Sequence, residues 1–136
     1  MPAPPTLTLS FPEPGVALLT FDTPEKSANI LSSSVLEELA KHLDALEARK
    51  DIAGLVFLSG KPGMFIAGAD LREFAASLKA PKEEVVAICR KGQTLFARLA
   101  QVPFVTIAAI DGICLGGGAD LAVWFDRRIM SRNPKT

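Results

Sequence analysis

The sequence predicts one α/β domain, because apolar strand-like runs alternate with amphipathic helical patterns along its 136 residues. Two glycine-rich stretches, residues 63–71 and 109–121, each follow a strand-like run and lead into a helical pattern. A strand, turn and helix repeated in this way favours parallel pairing of the strands. The chain is long enough to form a single domain with its own core.

The chain begins with a predicted β-hairpin. Leu7, Leu9 and Phe11 alternate with polar residues, which is the period of a half-buried strand. The turn signal Pro-Glu-Pro-Gly at residues 12–15 separates this strand from a second one over residues 16–21. We therefore expect the two strands to pair.

The first helix is predicted from about Val35 to Lys50, with Ser34 as its N-cap and Glu37 completing a capping box. Leucines at helical spacing form its buried stripe: Leu36, Leu39, Leu43 and Leu46. An apolar strand over residues 53–59 follows and leads to the first glycine-rich stretch.

The second half of the chain repeats the alternation of helix and strand. A short helix starts near Leu71, and a longer one has Pro81 at its first helical position. The apolar face of the longer helix consists of Val85, Ile88, Gly92, Leu95, Phe96 and Leu99. A strand over residues 104–110 leads into the second glycine-rich stretch and a helix ending near Phe125, and residues 127–130 form a last strand.

Charge and composition argue against a nucleic-acid or membrane surface. The 15 basic residues balance 15 acidic residues, and no basic patch is interleaved with aromatic side chains. No apolar run approaches the ~20 residues of a membrane span, and the N-terminus lacks the basic and apolar regions of a signal peptide. We expect a cytoplasmic protein in which Cys89 and Cys114 are buried free thiols.

Several well-defined motifs are absent. The first glycine-rich stretch has Ala-Asp where a phosphate-binding P-loop needs Lys-Ser or Lys-Thr, and the second lacks the G-x-G-x-x-G spacing of dinucleotide-binding folds. The single histidine, His42, falls in the middle of the first predicted helix, where a surface or boundary position suits it better than a Ser-His-Asp triad. No spacing typical of metal ligands occurs, so no metal site is predicted.

Glycines at strand–helix turns can simply permit a tight backbone turn. Two long motifs in this order, FIAGADL at residues 65–71 and GICLGGGADL at residues 112–121, resemble those of the crotonase (enoyl-CoA hydratase/isomerase) superfamily. The resemblance extends from about Val16 to Ile129, and residues 22–31 look like the family's first CoA loop. It implies a crotonase-like (ClpP/crotonase) ββα spiral, of which residues 1–136 are the N-terminal part.

The resemblance also implies a function. The first expectation is an enoyl-CoA hydratase of fatty acid β-oxidation, which acts on acyl-CoA thioesters and needs no separate cofactor because CoA is part of its substrate. Another crotonase reaction, such as isomerisation, hydrolysis or dehalogenation, is an alternative. A further alternative is a fragment that binds acyl-CoA or a partner protein without turnover.

Roles in the site are carried over position by position. The N–H groups of Ala69 and Gly117 correspond to the oxyanion hole, and Asp120 stands at the usual position of an acid/base glutamate. The remaining residues that the resemblance assigns to substrate binding are Lys26, Ala28, Ala67, Gly68, Asp70, Leu71, Leu115 and Gly116. Asp70 also suits the N-cap of the short helix.

Two departures from the family pattern limit these expectations. Asp120 is shorter than glutamate by about one C–C bond, and a displacement near 1 Å can cost about 10²-fold in rate. The second acid/base carboxylate of hydratases corresponds to a position beyond Thr136, so the chain is expected to be an N-terminal portion without efficient hydratase activity. Residues 22–31 and 127–136 look like multifunctional fatty acid oxidation alpha subunits. The family also implies a homo-oligomer, a trimer or a hexamer.

Overall fold

The structure is a computed structural model that describes residues 4–136. Its strands are β1 Leu7–Glu13, β2 Val16–Phe21, β3 Ile30–Leu31, β4 Gly54–Ser59, β5 Met64–Ile66, β6 Gly68–Ala69, β7 Val105–Ile110, β8 Ile113–Cys114 and β9 Arg127–Met130. Its helices are α1 Ser33–Glu47, α2 Leu71–Ser77, α3 Lys82–Leu99 and α4 Gly117–Val123.

A five-stranded sheet in the order β1-β2-β4-β7-β9 is the main layer. The hairpin β1–β2 is antiparallel, whereas the pairs β2–β4, β4–β7 and β7–β9 are parallel. In the register, Leu18 pairs with Val56, and Val56 pairs with Ile107. Each parallel neighbour is reached through one or two helices, which is the connection that parallel pairing requires. The predicted α/β class and parallel pairing are confirmed.

The core lies between this sheet and α1. Leu39, Leu43 and Leu46 of α1 are buried, as the leucine spacing predicted. On the sheet and its flanks, three phenylalanine rings surround Phe57 at centroid distances of 6.2, 5.9 and 5.7 Å: Phe21, Phe65 and Phe125. These angled ring pairs join the main sheet to the first glycine-rich stretch, because Phe65 belongs to β5.

Two small sheets that the sequence analysis missed join distant loops. Strand β3 pairs with β6, and β5 pairs with β8, both in parallel. Strands of two or three residues are too short to carry a detectable hydrophobic period. They nevertheless position the site, because β6 and β8 belong to the two glycine-rich stretches.

Two predicted helix starts are wrong by one or two residues. The N-cap of α1 is Ser32, whose Oγ accepts a hydrogen bond from the Val35 N–H at 3.3 Å, rather than Ser34. Leu31 in β3 pairs with Ala69 in β6, so the chain stays extended up to Ser32 and the helix can begin immediately afterwards. Pro81 occupies the N-cap position of α3, with an extended ψ of 148°, instead of the first helical position.

Burial departs from the sequence pattern at several apolar positions. In α1, Val35 is buried and Leu36 is only half-buried. In β1, Phe11 is 43% exposed, and in α3 only Leu95 and Leu99 of the predicted apolar face are buried. The N-terminal part of α3 extends away from the core, which leaves Ile88 52% exposed.

The predicted burial of both thiols is also wrong. Cys114 is half-buried, whereas Cys89 is exposed on α3, and both are free. The prediction for His42 is confirmed, because its side chain is half-buried at the boundary of α1 and its Nε2 lies 3.2 Å from the Leu7 carbonyl oxygen.

Candidate functional site

The two glycine-rich stretches lie side by side. Met64 in β5 pairs with Ile113 in β8, and the Ile113 N–H donates to the Gly63 carbonyl oxygen at 3.2 Å. Further along, the Leu115 N–H donates to the Ile66 carbonyl oxygen at 3.0 Å. Backbone hydrogen bonds therefore hold one strand-to-helix turn against the other.

Close backbone approach explains two of the glycines. A Cβ atom on Gly112, which has a φ of +85°, would lie 2.0 Å from the Gly63 carbonyl carbon. A Cβ atom on Gly118 would lie 2.6 Å from the Cβ of Ile66, which is fully buried. Only glycine fits at either position without displacing its neighbour.

Ala69 and Gly117 meet at the end of the two turns. A Cβ atom on Gly117 would lie 3.6 Å from the Ala69 nitrogen and 3.8 Å from the Ala69 Cβ. Gly117 is the first residue of α4, where an N–H has no acceptor within its own helix. Among residues 4–136 this N–H has no hydrogen-bond partner, and Ala69 is exposed. A backbone donor and the Ala69 amide nitrogen thus border one small, open space.

A third segment completes this space. Strand β3 brings Leu31 beside Ala69, and the Leu31 carbonyl oxygen accepts a hydrogen bond from the Asp70 N–H at 3.0 Å. The Cδ1 of Leu31 would lie 3.4 Å from a Cβ atom on Gly117. The wall around Ala69 and Gly117 is therefore partly apolar.

The structure brings most of the predicted binding residues to the same turns. A Cβ atom on Gly116, which has a φ of +49°, would lie 3.9 Å from the Cα of Gly68. A Cβ atom on Gly68 would lie 3.8 Å from the Leu115 carbonyl oxygen. Ala67 belongs to the same turn and donates its N–H to the Asn29 carbonyl oxygen at 2.9 Å.

Asp70 is the N-cap of α2, as the sequence predicted. Its Oδ1 accepts hydrogen bonds from the N–H groups of Arg72 at 2.8 Å and Glu73 at 3.4 Å. Its neighbour Leu71 is 77% exposed. The Asp70 carboxylate is thus committed to the helix, which leaves the adjacent backbone for any ligand contact.

The predicted loop residues Lys26 and Ala28 lie between β2 and β3. Lys26 is exposed and Ala28 is half-buried, and the Lys26 N–H closes a turn on the Thr23 carbonyl oxygen at 3.4 Å. The preceding Glu25 has a φ of +57°, a conformation uncommon for residues other than glycine. The structure connects this loop to the Ala69 turn through β3 and does not join Lys26 itself to Ala69 or Gly117.

Asp120 lies in the first turn of α4, three residues after Gly117. Its N–H donates to the Gly116 carbonyl oxygen at 2.9 Å, and the residue is exposed. The carboxylate is therefore attached to the same turn as the Gly117 donor.

Asn29 is a site residue that the sequence analysis missed. Its side chain is fully buried and bonds the Phe65 carbonyl oxygen of the first glycine-rich stretch, although Asn29 lies at the end of a loop. The signal in the sequence was a lone amide next to the apolar pair Ile30 and Leu31, which is too common a pattern to identify a buried hub.

The C-terminal tail also reaches the base of the two turns. The Asp111 carboxylate accepts hydrogen bonds from the Ser131 hydroxyl at 2.6 Å and from the Gly63 N–H at 3.3 Å. The Thr136 hydroxyl accepts from the Gly112 N–H at 2.6 Å. The bonds from Ser131 and Gly63, with one from Asn133, lower the pKa of Asp111 below its ordinary value.

Other properties of the surface bear on ligand chemistry. A groove of about 710 Å³ between α1 and α3 is lined by residues that all lie outside both glycine-rich stretches. Beside the second turn, burial raises the pKa of the Cys114 thiol, so this thiol is not an activated nucleophile.

Within residues 4–136, no three His, Cys, Asp or Glu side chains cluster as metal ligands would. Across the same range, every helix is too short or too polar to cross a bilayer.

Comparison with known proteins places these turns in a family. The family model described as enoyl-CoA hydratase/isomerase matches residues 12–136. The chain belongs to this enzyme family. The Fatty acid oxidation complex subunit alpha of Idiomarina loihiensis is 42% identical over 129 residues, and that of Aliivibrio fischeri is 44% identical over 122 residues. These matches cover 95% and 89% of the chain and 18% of the length of each relative.

Solved structures confirm the crotonase-like fold of this enoyl-CoA hydratase/isomerase family member. An enoyl-CoA hydratase from Bacillus anthracis superposes with a TM-score of 0.82 at 29% identity, covering 95% of this chain and 48% of that one. DspI from Pseudomonas aeruginosa superposes with a TM-score of 0.81 at 33% identity, covering 94% and 50%. The expected resemblance to the family and to fatty acid oxidation alpha subunits is therefore confirmed.

Proposed function

We propose that the chain binds an acyl-CoA thioester and holds its carbonyl oxygen with the N–H groups of Ala69 and Gly117. The observation that carries this proposal is the meeting of these two backbones. A Cβ atom on Gly117 would lie 3.6 Å from the Ala69 nitrogen, and the Gly117 N–H is unpaired among residues 4–136. Two backbone donors beside one open space are what an oxyanion requires.

The chemistry follows from the thioester. Addition of water to a double bond conjugated with the thioester, or movement of that double bond, places enolate charge on the thioester oxygen. Donors that are already fixed in the backbone stabilise this charge without reorganising, and loss of one donor typically costs about 10²–10³-fold in rate. Gly117 suits this role because it has no side chain to fill the space.

Asp120 is proposed as the acid/base group. It lies one helical turn from the Gly117 donor and is open to solvent, so a proton can pass between its carboxylate and a water or the substrate. The CoA portion is proposed to run along residues 22–31, with Lys26 and Ala28 beside it. Residues 67–71, with Leu115 and Gly116, are proposed to border the remainder of the acyl-CoA ligand. CoA is part of the substrate in this proposal, and no separate cofactor is invoked.

The proposed reaction is enoyl-CoA hydration in fatty acid β-oxidation. Support comes from the names of the relatives, which are fatty acid oxidation complex alpha subunits and an enoyl-CoA hydratase. Assembly as a trimer or a hexamer is proposed on the same family grounds. The other crotonase reactions would use the same two donors, so the donors are tested first.

Acetoacetyl-CoA is a suitable probe for the donors. Its acidic C2 proton is lost to the buffer, and the resulting enolate, which shares its charge between the ketone and thioester oxygens, absorbs in the near ultraviolet. We expect the full chain to bind this ligand and to raise the ratio of enolate to keto form above that in buffer at the same pH. Calorimetry measures the binding, and a difference spectrum measures the enolate.

A matched ligand serves as the control. An S-alkyl-CoA thioether of equal chain length retains the nucleotide and the apolar tail but has no carbonyl oxygen for the donors. We expect it to bind more weakly than the thioester. Equal affinities for the two ligands, together with no increase in the enolate of acetoacetyl-CoA, would refute the proposed oxyanion hole.

A further inference from the structure

Asn29 and Thr106 are the fully buried polar side chains in the described part of the chain. The Oδ1 of Asn29 accepts a hydrogen bond from the Thr23 N–H at 3.0 Å. Its Nδ2 donates to the carbonyl oxygens of Phe21 at 2.8 Å and Phe65 at 3.2 Å. Since one end of the amide faces a donor and the other faces acceptors, only an amide in this orientation satisfies all three neighbours.

These partners belong to three different segments. Phe21 ends β2, Thr23 is the second residue of the loop after it, and Phe65 lies in β5 within the first glycine-rich stretch. The Nδ2 also donates to the Ser59 hydroxyl at the end of β4, at 2.9 Å. One side chain thus connects the carboxyl ends of two sheet strands to the glycine-rich stretch that carries Ala69.

Lys61 also holds the start of the loop. The ammonium group of Lys61 contacts Asp22 Oδ1 at 2.6 Å and the Thr23 carbonyl oxygen at 2.8 Å, and the Lys61 side chain is largely buried. Lys61 therefore secures the end of the loop nearest β2. Asn29 connects this end, through Phe21 and Thr23, to the opposite end of the loop, where the chain enters β3.

The path from Asn29 to Ala69 is short. The Asn29 carbonyl oxygen accepts from the Ala67 N–H at 2.9 Å, and two residues later Leu31 pairs with Ala69. Strand β3 is the partner of β6 in its small sheet. The position of the Ala69 N–H therefore depends on β3, and Asn29 sets where β3 begins.

We propose that Asn29 is a positioning residue for the oxyanion hole, aligning the Ala69 N–H with the Gly117 N–H through β3. This inference rests on the proposed function, because it assigns Asn29 to the same site. It differs from a purely structural role in one measurable respect. Loss of folding removes binding and enolate together, whereas misalignment lowers the enolate formed for each ligand bound.

The test compares Asn29→Ala with Thr106→Val in the full chain, using acetoacetyl-CoA at saturation. Thr106 is matched to Asn29 in burial, but its hydroxyl accepts from the Asp126 N–H at 3.0 Å, at the junction of β7 with the segment after α4. We expect Asn29→Ala to lower the ratio of enolate to keto form of the bound ligand by about 10- to 100-fold, as expected for a misplaced group. Affinity for CoA without an acyl group should change less than about threefold, and Thr106→Val should keep the wild-type ratio.

Two results overturn parts of this reasoning separately. If the wild-type chain does not raise the enolate ratio, the proposed function fails and this inference fails with it. If the wild-type chain raises the ratio and Asn29→Ala keeps it, the positioning role is wrong while the proposed function stands.

A second variant covers the case in which Asn29→Ala does not fold. Ser59→Ala keeps Asn29 and removes one acceptor of its amide, together with the 2.9 Å contact of that hydroxyl with the Lys61 N–H. We expect a smaller fall in the ratio, about two- to tenfold, because only one of the hydrogen bonds of Asn29 is among those lost. An unchanged ratio in Ser59→Ala would overturn the positioning role.

Discussion

Replacing Gly117 and Gly118 by alanine, one at a time, separates the chemistry of the site from the stability of the fold. The two residues are adjacent at the start of α4, yet they face different surroundings. A Cβ atom on Gly117 would make only ordinary contacts, at 3.4 Å from Leu31 and 3.6 Å from the Ala69 nitrogen. A Cβ atom on Gly118 would lie 2.6 and 2.8 Å from side-chain atoms of buried Ile66.

Gly118→Ala is expected to be destabilising. The added methyl group overlaps Ile66 Cβ and Cγ2 and lies 2.9 Å from the Ile66 carbonyl oxygen, so both side chain and backbone must move. Overpacking of this kind costs about 1–3 kcal/mol. The higher helix propensity of alanine returns about 1 kcal/mol at most. Because both side chain and backbone must move, the cost lies at the upper end of this range, and we expect a net loss of about 2 kcal/mol in the free energy of unfolding.

Gly117→Ala is expected to keep the fold and to lose the stabilisation of the bound enolate. Its contacts are ordinary, so the free energy of unfolding should stay within about 1 kcal/mol of the wild-type value. An oxyanion must lie about 2.7–3.1 Å from each donor, and the new methyl group would stand in that space beside the Ala69 nitrogen. The ratio of enolate to keto form of bound acetoacetyl-CoA should fall by about 10²–10³-fold.

Urea unfolding followed by circular dichroism measures stability, and the near-ultraviolet difference spectrum measures enolate on the same preparations. Gly92→Ala in α3 is the control, because a Cβ atom there meets nothing within 4 Å. It should be neutral or slightly stabilising and leave the enolate ratio unchanged. A Gly117→Ala variant with the wild-type ratio would refute the oxyanion geometry, and wild-type stability in Gly118→Ala would refute the packing argument.

Three further predictions concern titratable groups. In a longer protein that combines this chain with the second acid/base carboxylate, Asp120→Asn should lower hydratase turnover by about 10²–10⁴-fold with little change in acyl-CoA affinity. Asp120→Glu should retain or raise turnover in a hydratase-type site and lower it in a pocket built around the shorter side chain. Unchanged steady-state turnover in the Asn variant would exclude the acid/base role. Burial raises the pKa of Cys114, so at mildly alkaline pH its alkylation, followed by mass spectrometry, should be slower than that of exposed Cys89 by about tenfold or more; equal rates would contradict the burial of this thiol. The lowered pKa of Asp111 means that its carboxylate stabilises the fold above the ordinary carboxyl range and that this contribution is lost as the pH falls through the lowered value. Asp111→Asn should therefore destabilise the chain near neutral pH and show less additional loss below about pH 4, with urea midpoints at the two pH values as the measurement.

The sequence by itself determined the class of fold and the family. Alternating strand and helix patterns led to the parallel sheet, and the bounds of β2 and β9 were predicted at the residues observed. The two glycine motifs led to the enoyl-CoA hydratase/isomerase family, and Asp70 was identified as the N-cap of α2. These features are readable because periodicity, capping and glycine-rich turns depend on residues close together in the chain.

Tertiary structure decided the features that depend on distant segments. The pairing of β3 with β6 and of β5 with β8 is set by contacts between residues 38 or more positions apart, and such short strands have no period of their own. The N-cap of α1 is Ser32 rather than the predicted Ser34, because pairing of β3 with β6 keeps the preceding chain extended. This cause lies outside the helix.

Burial was decided in the same way. An apolar face on α3 was predicted from the sequence, but only Leu95 and Leu99 of that face are buried in the core, and Ile88 remains exposed. From the sequence alone, Asn29 is one polar residue in a loop. Its burial depends on hydrogen-bond partners from three segments, because a buried polar group is tolerated only where it has partners. The sequence therefore identifies Ala69 and Gly117 as candidates, whereas their closeness to each other is a property of the folded chain.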